Sequence, residues 1–171
     1  APPFPFFQVH NPQAELLYEK ALAYADLHGG ETVIDAYCGT GTISLCLAKK
    51  AGRVIGIEIV KEAIEDAKKN AAFNHIENAE FYAADAGEFM PKLYEEGLRP
   101  DVIVMDPVRA GCIEDVLAAA AGMQPSRIVY VSCNVATFAR DAKILAGLGY
   151  TVKEVTPVDM FPQTMPVGTV G

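Results

Sequence analysis

Short apolar runs alternate with helical patterns of apolar residues along the whole chain. The runs that predict strands are residues 32–34, 53–58, 79–83, 102–106, 127–133 and 150–158. The patterns that predict helices are residues 12–27, 43–51, 60–74, 87–96, 114–121 and 135–148. This order of strands and helices predicts an α/β fold with a doubly wound, mostly parallel sheet and right-handed crossovers. The last strand alternates more than the others, which places it nearer an edge.

The chain is expected to form a single globular domain. Its 171 residues are 51% hydrophobic and 21% charged, a balance typical of a folded domain with a proper core. Residues 1–11 are rich in Pro and Phe and predict an N-terminal arm, so the domain is assigned to residues 12–171. No apolar stretch is long enough to span a bilayer and no signal peptide pattern is present, so we expect a cytoplasmic location and no membrane partner.

Cysteine spacing and charge narrow the possible partners. The four cysteines form no C-x-x-C pair, which argues against a zinc site and against a disulfide framework. The formal net charge is −8 and no basic run interrupts it. A domain that binds nucleic acid unaided normally has a positive face. If RNA is the substrate, we therefore expect this acidic domain alone to hold it weakly.

The stretch Thr32-Val-Ile-Asp-Ala-Tyr-Cys-Gly-Thr-Gly41 joins a predicted strand to a predicted helix through a glycine-rich turn. Gly39 and Gly41 can adopt positive φ and let the backbone approach a ligand closely. The next predicted strand ends in Glu58, close to the spacing at which an acid accepts hydrogen bonds from the ribose of an adenosine. Together these features predict an adenosine-binding site.

The charge of the turn indicates which adenosine-containing ligand is bound. A dinucleotide site favours a third glycine, where this chain has Ser44, and Asp35 would repel a pyrophosphate. S-adenosylmethionine carries a sulfonium and an ammonium group and no phosphate, so Asp35 favours it. The alternative is an ordinary turn in which Asp35 caps the following helix.

Reactive side chains follow the predicted strands at their carboxyl ends, where parallel α/β sheets bind ligands. They are Asp35, Glu58, Asp85, Asp106 and Cys133. Cys133 precedes a predicted helix, whose N-terminus favours a thiolate, although a buried structural cysteine is the commoner case. The other cysteines are expected either to be structural or to lie behind the residues that line the site: Cys38, Cys46 and Cys112.

The segment Asp106-Pro-Val-Arg109 resembles the loop after strand four in methyltransferases that act on planar, nitrogen-bearing groups. On this motif alone, an amino group would be a possible acceptor. A simple β-turn is the alternative, because Asp and Pro are common turn residues.

Five motifs, taken together and in order, resemble those of the RNA uracil-C5 methyltransferases, which make 5-methyluridine in ribosomal and transfer RNA. They are Phe6-Phe-Gln-Val9, Asp35-Ala-Tyr-Cys-Gly-Thr-Gly41, Asp106-Pro-Val-Arg-Ala-Gly-Cys112, Val131-Ser-Cys-Asn134 with Ala139-Arg-Asp141, and Val158-Asp-Met-Phe-Pro-Gln-Thr164. The resemblance covers essentially the whole chain and corresponds to the C-terminal catalytic domain of that family only. It implies a Rossmann-like class I S-adenosylmethionine-dependent fold.

The resemblance also implies a role for individual residues. The residues that would contact or shape the S-adenosylmethionine site are Gln8, Asp35, Tyr37, Gly39, Gly41, Thr42, Glu58, Asp85 and Asp106. Asp106 would also face the target base, and Cys133 would be the nucleophile that adds to uracil C6.

The sequence departs from the family near its C-terminus. Met165-Pro-Val-Gly168 stands where the family has a catalytic glutamate, so Gly168 occupies the position of the general base. The last strand is expected to be truncated, which leaves the edge at 150–158 open to self-association. We therefore expect an intact cofactor site with altered turnover. The alternatives are a non-catalytic S-adenosylmethionine-binding domain, natural or engineered, and a methyltransferase for another planar substrate.

Overall fold

Five parallel strands and six helices form the part of the protein that the computed structural model describes, residues 12–107, 114–132 and 134–153. The strands are β1 (Thr32–Ala36), β2 (Arg53–Glu58), β3 (Ala79–Ala83), β4 (Val102–Met105) and β5 (Arg127–Tyr130). The helices are α1 (Pro12–Ala25), α2 (Thr42–Ala48), α3 (Lys61–Phe73), α4 (Ala86–Glu95), α5 (Glu114–Gly122) and α6 (Val135–Gly147).

The sheet has the order β3-β2-β1-β4-β5, so β1 lies at its centre. Ile34 is paired with Ile55 of β2 on one side and with Ile103 of β4 on the other. The order reverses direction at β1, and the carboxyl ends of β1 and β4 therefore flank the crevice in which such sheets bind ligands. The predicted α/β fold with a parallel sheet is confirmed.

Alternate residues of the central strands face two separate layers of helices. Val33 and Val104 pack with residues of α1 and α2, whereas Ile34 and Ile103 pack with residues of α4, α5 and α6. All four side chains are fully buried. Because both faces of the sheet are covered, the strands are continuous apolar runs in the sequence, which is why they could be predicted.

The predicted last strand is wrong for the residues that can be compared. Residues 150–153 lie outside any strand, since the chain there is still completing the end of α6. Gly149 has φ +102°, and the Tyr150 amide donates to the Leu145 carbonyl at 2.9 Å. This left-handed cap ends the helix. Residues 154–158 lie outside the described ranges, so self-association through that segment stays a prediction.

Several predicted boundaries shift by a few residues. β5 ends at Tyr130, three residues before Cys133, and β4 ends at Met105, one residue before Asp106. Asp85 and Asp106 therefore stand in loops just beyond their strands, whereas Asp35 and Glu58 lie within β1 and β2. Among the described helices, none is both long and apolar enough to cross a membrane.

Candidate cofactor site at the carboxyl ends of the strands

The turn after β1 has the backbone that its glycines predicted. Gly39 and Gly41 have φ values of +56° and +88°, and Tyr37 shares the left-handed region at +66°. The Gly41 amide donates to the Cys38 carbonyl at 2.9 Å, and the Cys38 amide donates to Ile57 of β2 at the same distance. These bonds tie the turn to the neighbouring strand and direct the chain into α2, which begins at Thr42.

The two glycines are required for different reasons. A Cβ atom on Gly41 would lie 3.1 Å from the Ala67 Cβ and from Phe81 Cε1, so a side chain there would push α2 away from α3 and β3. A Cβ atom on Gly39 would meet nothing within 4 Å, and its constraint is the positive φ alone. The open space beside Gly39 is the side of the turn that a ligand can approach.

Glu58 ends β2 beside this turn, as its spacing predicted. Its Oε1 accepts a hydrogen bond from the Gly39 amide at 3.1 Å, and its Oε2 accepts one from the Val60 amide at 3.0 Å. The carboxylate is thus fixed in direction, and it is only partly buried. Each oxygen has a second lone pair, which remains suitable for a hydroxyl donor.

Asp35 is 1% exposed and its two carboxylate oxygens have different surroundings. Oδ2 accepts a hydrogen bond from the Ser44 hydroxyl at 2.6 Å, whereas Oδ1 is buried and has no hydrogen-bond partner in the described structure. An unpaired buried oxygen is costly, so it indicates a ligand that donates or carries positive charge. Gly41 is the N-cap residue of α2. The Ser44 backbone amide, in the first turn of α2, also contacts the Asp35 carboxyl and lowers its pKa, so the interpretation in which Asp35 caps the helix stays open beside the ligand-binding one.

The electrostatics of the crevice favour a cation. Burial raises the pKa of Asp35 to about 7; the Ser44 hydrogen bond opposes this shift, and the charges of Asp106 and Glu58 add to it. Burial also raises the pKa of Asp106 to about 6. The buried carboxyl of Asp35 thus experiences the negative charges of Asp106 and Glu58, and a positively charged ligand would relieve that repulsion.

Two side chains in this crevice were not recognised from the sequence. In the sequence, Ser44 was considered only because a dinucleotide site would have a glycine at that position. In the structure, its hydroxyl donates a hydrogen bond to Asp35 and orients the carboxylate. Tyr18 of α1 lies close enough to Asp106 and Cys46 that their negative charges raise its pKa, after the larger effect of its own burial. Tyr18 could have been suspected because it lies next to the apolar positions 16 and 17 of a helix that packs on the sheet.

Asp85 follows β3, as predicted, and its side chain caps the next helix. It is the N-cap of α4, and its Oδ1 accepts a hydrogen bond from the Gly87 amide at 2.8 Å. The cap fixes the direction of the carboxyl group at the carboxyl end of the sheet. The predicted contact between Asp85 and a cofactor stays a prediction.

Hydrogen bonds from the loop after β5 define the start of α6. Asn134 is the N-cap of α6, and its Oδ1 accepts from the amides of Ala136 and Thr137 at 2.9 and 3.2 Å. The Asn134 amide in turn donates to the Ser132 hydroxyl at 3.0 Å. Cys133 lies between these residues in sequence, outside the described residues, as do Gln8, Cys112 and Gly168. The predicted helix start directly after Cys133 is confirmed.

The described cysteines have surroundings that suit a structural role. Cys38 is buried, and burial raises its pKa far above the ordinary range. Cys46 is partly buried, and burial raises its pKa to about 11. Neither thiol would ionise near neutral pH, so neither is suited to act as a nucleophile there. Within the described ranges, no three His, Cys, Asp or Glu side chains are grouped to hold a metal ion.

The sheet order, the glycine turn and the acidic strand ends define a Rossmann-like fold of the S-adenosylmethionine-dependent methyltransferase class. The chain belongs to the family described as methyltransferase domain, whose family model matches residues 27–145. The family and fold expected from the sequence are confirmed at this level.

Relatives and a solved structure agree with this assignment. The chain is 57% identical over 159 residues to an "uncharacterized RNA methyltransferase" of Bacillus cereus, covering 93% of this chain and 35% of that protein. It is 54% identical over 168 residues to one of Clostridium tetani, covering 98% and 36%. The crystal structure of Pyrococcus abyssi tRNA (uracil-54, C5)-methyltransferase in complex with S-adenosyl-L-homocysteine matches with TM-score 0.70 and 34% identity, covering 86% and 35%. The chain thus spans about a third of the length of these proteins.

Proposed function

We propose that this domain binds S-adenosylmethionine in the crevice beside the glycine turn and methylates C5 of uridine in RNA. The observation that carries the proposal is the unpartnered, fully buried oxygen of Asp35, in a crevice that it shares with Asp106 and Glu58. That arrangement suits a cation that also brings hydroxyl donors. The names of the Bacillus and Clostridium relatives and of the Pyrococcus enzyme support RNA as the substrate.

The residues present fit the cofactor. The fixed carboxylate of Glu58 is placed to accept hydrogen bonds from ribose hydroxyls, and Asp35 and Asp106 favour the positive end of the ligand. The open side of Gly39 leaves room for close approach to the backbone. Further contacts are expected, by resemblance, from Gln8, Tyr37, Thr42 and Asp85. When bound, S-adenosylmethionine supplies the electrophilic methyl group.

A nucleophile is required because uracil C5 is too weakly nucleophilic to take a methyl group unaided. In the proposed mechanism, the Cys133 thiolate forms a bond to C6, and the electron pair of the C5–C6 double bond moves toward C5 and the C4 carbonyl. C5 then carries enough electron density to accept the methyl group. Completing the reaction requires a base to remove the C5 proton, after which the C6–S bond breaks and the double bond reforms with release of the thiolate. By resemblance, Gly168 occupies the position of that base, so the unmodified chain is expected to stop at the methylated adduct.

The acidity of the domain affects how RNA must be supplied. With a net charge of −8, the domain is expected to bind RNA weakly by itself. The relatives are about three times as long as this chain. We propose that their additional regions supply the affinity for RNA. Assays of this chain therefore need a high RNA concentration and low salt.

The cofactor part of the proposal is tested with Glu58→Ala. We expect the dissociation constant for S-adenosylmethionine, measured by calorimetry, to rise about thirtyfold, because a lost hydrogen bond to a charged group costs about 2 kcal/mol. The matched control is Glu80→Ala on β3, whose carboxylate pairs with Arg53 and lies on the exposed edge strand. Since Glu58 also holds two backbone amides, thermal unfolding of both variants is recorded. Unchanged affinity in Glu58→Ala would remove this residue from the site.

The chemical part is tested with RNA that contains 5-fluorouridine. After methyl transfer, C5 then carries fluorine in place of the proton, so elimination is blocked and the protein–RNA bond persists. We expect a slow band on a denaturing gel, labelled from the methyl group of the cofactor and lost in Cys133→Ala. Cys46→Ala is the control for a partly buried cysteine and should retain the band.

The other outcomes of this gel distinguish the alternatives. A labelled RNA that still forms in Cys133→Ala would favour an amino-group acceptor, which needs no thiol adduct. Absence of label with every variant, while the cofactor still binds, would favour the binding-only domain.

A further inference from the structure

The end of β5 and the middle of α6 are joined by a polar contact to a buried carboxylate, outside the cofactor crevice. The Tyr130 hydroxyl, on the last residue of β5, donates a hydrogen bond to Oδ2 of Asp141. Arg140 Nε donates to the other oxygen of the same carboxylate at 3.1 Å. Asp141 is 0% exposed, which is unusual for an aspartate. Both oxygens are satisfied, so the carboxylate is held in one orientation.

Neighbouring contacts strengthen this junction. The ring of Phe138 meets the ring of Tyr130 edge-on, with centroids 5.6 Å apart and planes at 63°. One turn earlier, the Ser132 hydroxyl accepts from the Asn134 amide and donates to the Asn134 carbonyl, each at 3.0 Å. The contacts thus fix α6 against the end of β5 and hold the backbone on both sides of position 133.

A polar contact of this kind is not needed for packing alone. Apolar residues of similar volume would join a strand and a helix at least as stably, because a buried carboxylate must be desolvated. A charge-assisted hydrogen bond has a direction, however, and it sets the angle and register between the two elements. In this fold, the segment between them contains the proposed nucleophile.

We propose that Tyr130 and Asp141 are positioning residues that fix the start of α6 relative to β5 and thereby set the reactivity of Cys133. This inference rests on the proposed function, in which Cys133 attacks uracil C6. The positive end of the α6 dipole acts over only about the first turn, so small shifts of the helix change how strongly it favours a thiolate next to it. Attack on C6 depends on thiol placement in the same way.

The chain offers a matched control at the other end of the same two elements. The Tyr150 hydroxyl donates a hydrogen bond to the Pro125 carbonyl at 2.7 Å, which ties the C-terminal end of α6 to the residues just before β5. Tyr130→Phe and Tyr150→Phe each remove one tyrosine hydroxyl from a partly buried site between the same elements. Only the first substitution changes the junction next to position 133.

The experiment measures alkylation of Cys133 by iodoacetamide as a function of pH, resolved from the other cysteines by mass spectrometry. In Tyr130→Phe we expect the rate near pH 7 to fall about two- to fivefold, since a helix N-terminus favours a thiolate by that amount. At pH values well above the midpoint of the titration, the alkylation rate should be unchanged. The whole curve of alkylation rate against pH therefore moves to higher pH. Adduct formation with 5-fluorouridine RNA should slow by about tenfold, because it also depends on placement. Affinity for S-adenosylmethionine should not change.

The control results separate positioning from general loss of stability. Tyr150→Phe should lower the unfolding temperature to a similar extent. It should leave the pH dependence of alkylation and the rate of adduct formation unchanged. Asp141→Asn keeps an acceptor for Tyr130 and should lie between the unmodified chain and Tyr130→Phe; it also serves as the second variant if Tyr130→Phe does not fold. Equal effects of Tyr130→Phe and Tyr150→Phe, or no effect of either, would overturn the inference.

The two readouts also separate this inference from the proposed function. If the unmodified chain forms no adduct with RNA, the proposed function fails, and the alkylation curves still decide the positioning role. If the adduct forms and Tyr130→Phe alters neither its rate nor the alkylation curve, the positioning role fails and the proposed function stands.

Discussion

Asp35→Asn is expected to weaken binding of S-adenosylmethionine strongly and, above pH 7, to stabilise the cofactor-free domain. Both effects follow from one carboxyl group that is buried without a partner for Oδ1. Asparagine preserves the shape and an acceptor for the Ser44 hydroxyl, but it cannot ionise. Binding should lose about 2–3 kcal/mol, the range for a buried hydrogen bond to a charged group.

The direction of the stability effect follows from the pKa of Asp35. Its value in the folded domain is about 7, above the ordinary 3.8, so the folded state holds a proton that the unfolded state has released. Stability therefore falls as pH rises from about 4 to 7, by up to about 4 kcal/mol for a shift of this size. The asparagine variant avoids this loss and instead leaves an amide N–H without a partner, at about 1–3 kcal/mol. Chemical denaturation should show a variant more stable by about 1–2 kcal/mol at pH 8 than the unmodified domain, with the difference reversed or absent near pH 5.

Cofactor binding should have the opposite dependence on pH. A cationic ligand favours the ionised carboxylates, so binding releases protons from Asp35 and, at lower pH, from Asp106, whose pKa is about 6. Affinity is therefore expected to rise by up to about tenfold per pH unit and per group below these pKa values, and to level off above about pH 8. Calorimetry in buffers of different ionisation enthalpy counts the released protons directly.

The control for both measurements is Asp101→Asn. Asp101 lies before β4, at the amino ends of the strands, where its exposed side chain accepts a hydrogen bond from the Thr32 amide at 2.9 Å. That variant should keep the affinity and proton release of the unmodified domain. An Asp35→Asn variant that binds S-adenosylmethionine normally, with the same proton release, would show that Asp35 does not face the ligand.

The central sheet and the glycine turn could be predicted because each depends on local sequence. Strands such as β1 and β4 are buried on both faces, so they appear as short apolar runs, and Gly41 is required by a positive φ and a close contact. The described part of the predicted last strand, residues 150–153, forms no strand, because the chain there first completes the end of α6. Gly149 and Tyr150 complete the cap of α6, and that cap depends on a hydrogen bond back to Leu145.

The finer features of the site depend on contacts between elements and could not be predicted. The hydrogen bond from Ser44 to Asp35 spans nine residues, and nothing in the local pattern distinguishes it from a helix cap. The proximity of Tyr18 to Asp106 depends on how α1 packs across β4 and β5. Asp141 was part of a recognised motif, but its complete burial and its bond to Tyr130 depend on the tertiary fold.

Gly168→Glu is expected to convert a stalled reaction on ordinary uridine into a catalytic one. By resemblance, Gly168 occupies the position of the base that removes the C5 proton, and glycine cannot accept a proton. Thiol addition and methyl transfer both precede that step. With uridine RNA at high concentration, the unmodified chain should therefore accumulate a protein–RNA species that carries a methyl group on C5 and resists denaturant.

The glutamate should shift the label from protein-bound to free RNA. General base catalysis contributes about 10²–10⁴-fold to a proton transfer, so release should change from undetectable to measurable within one assay. Gly168→Gln is the matched control, because it has the same length without a carboxylate and should leave the adduct in place. RNA with 5-fluorouridine should trap Gly168→Glu as firmly as the unmodified chain, since no C5 proton remains to be removed. Free methylated RNA from the unmodified chain, in amounts exceeding the protein, would show that another residue acts as the base.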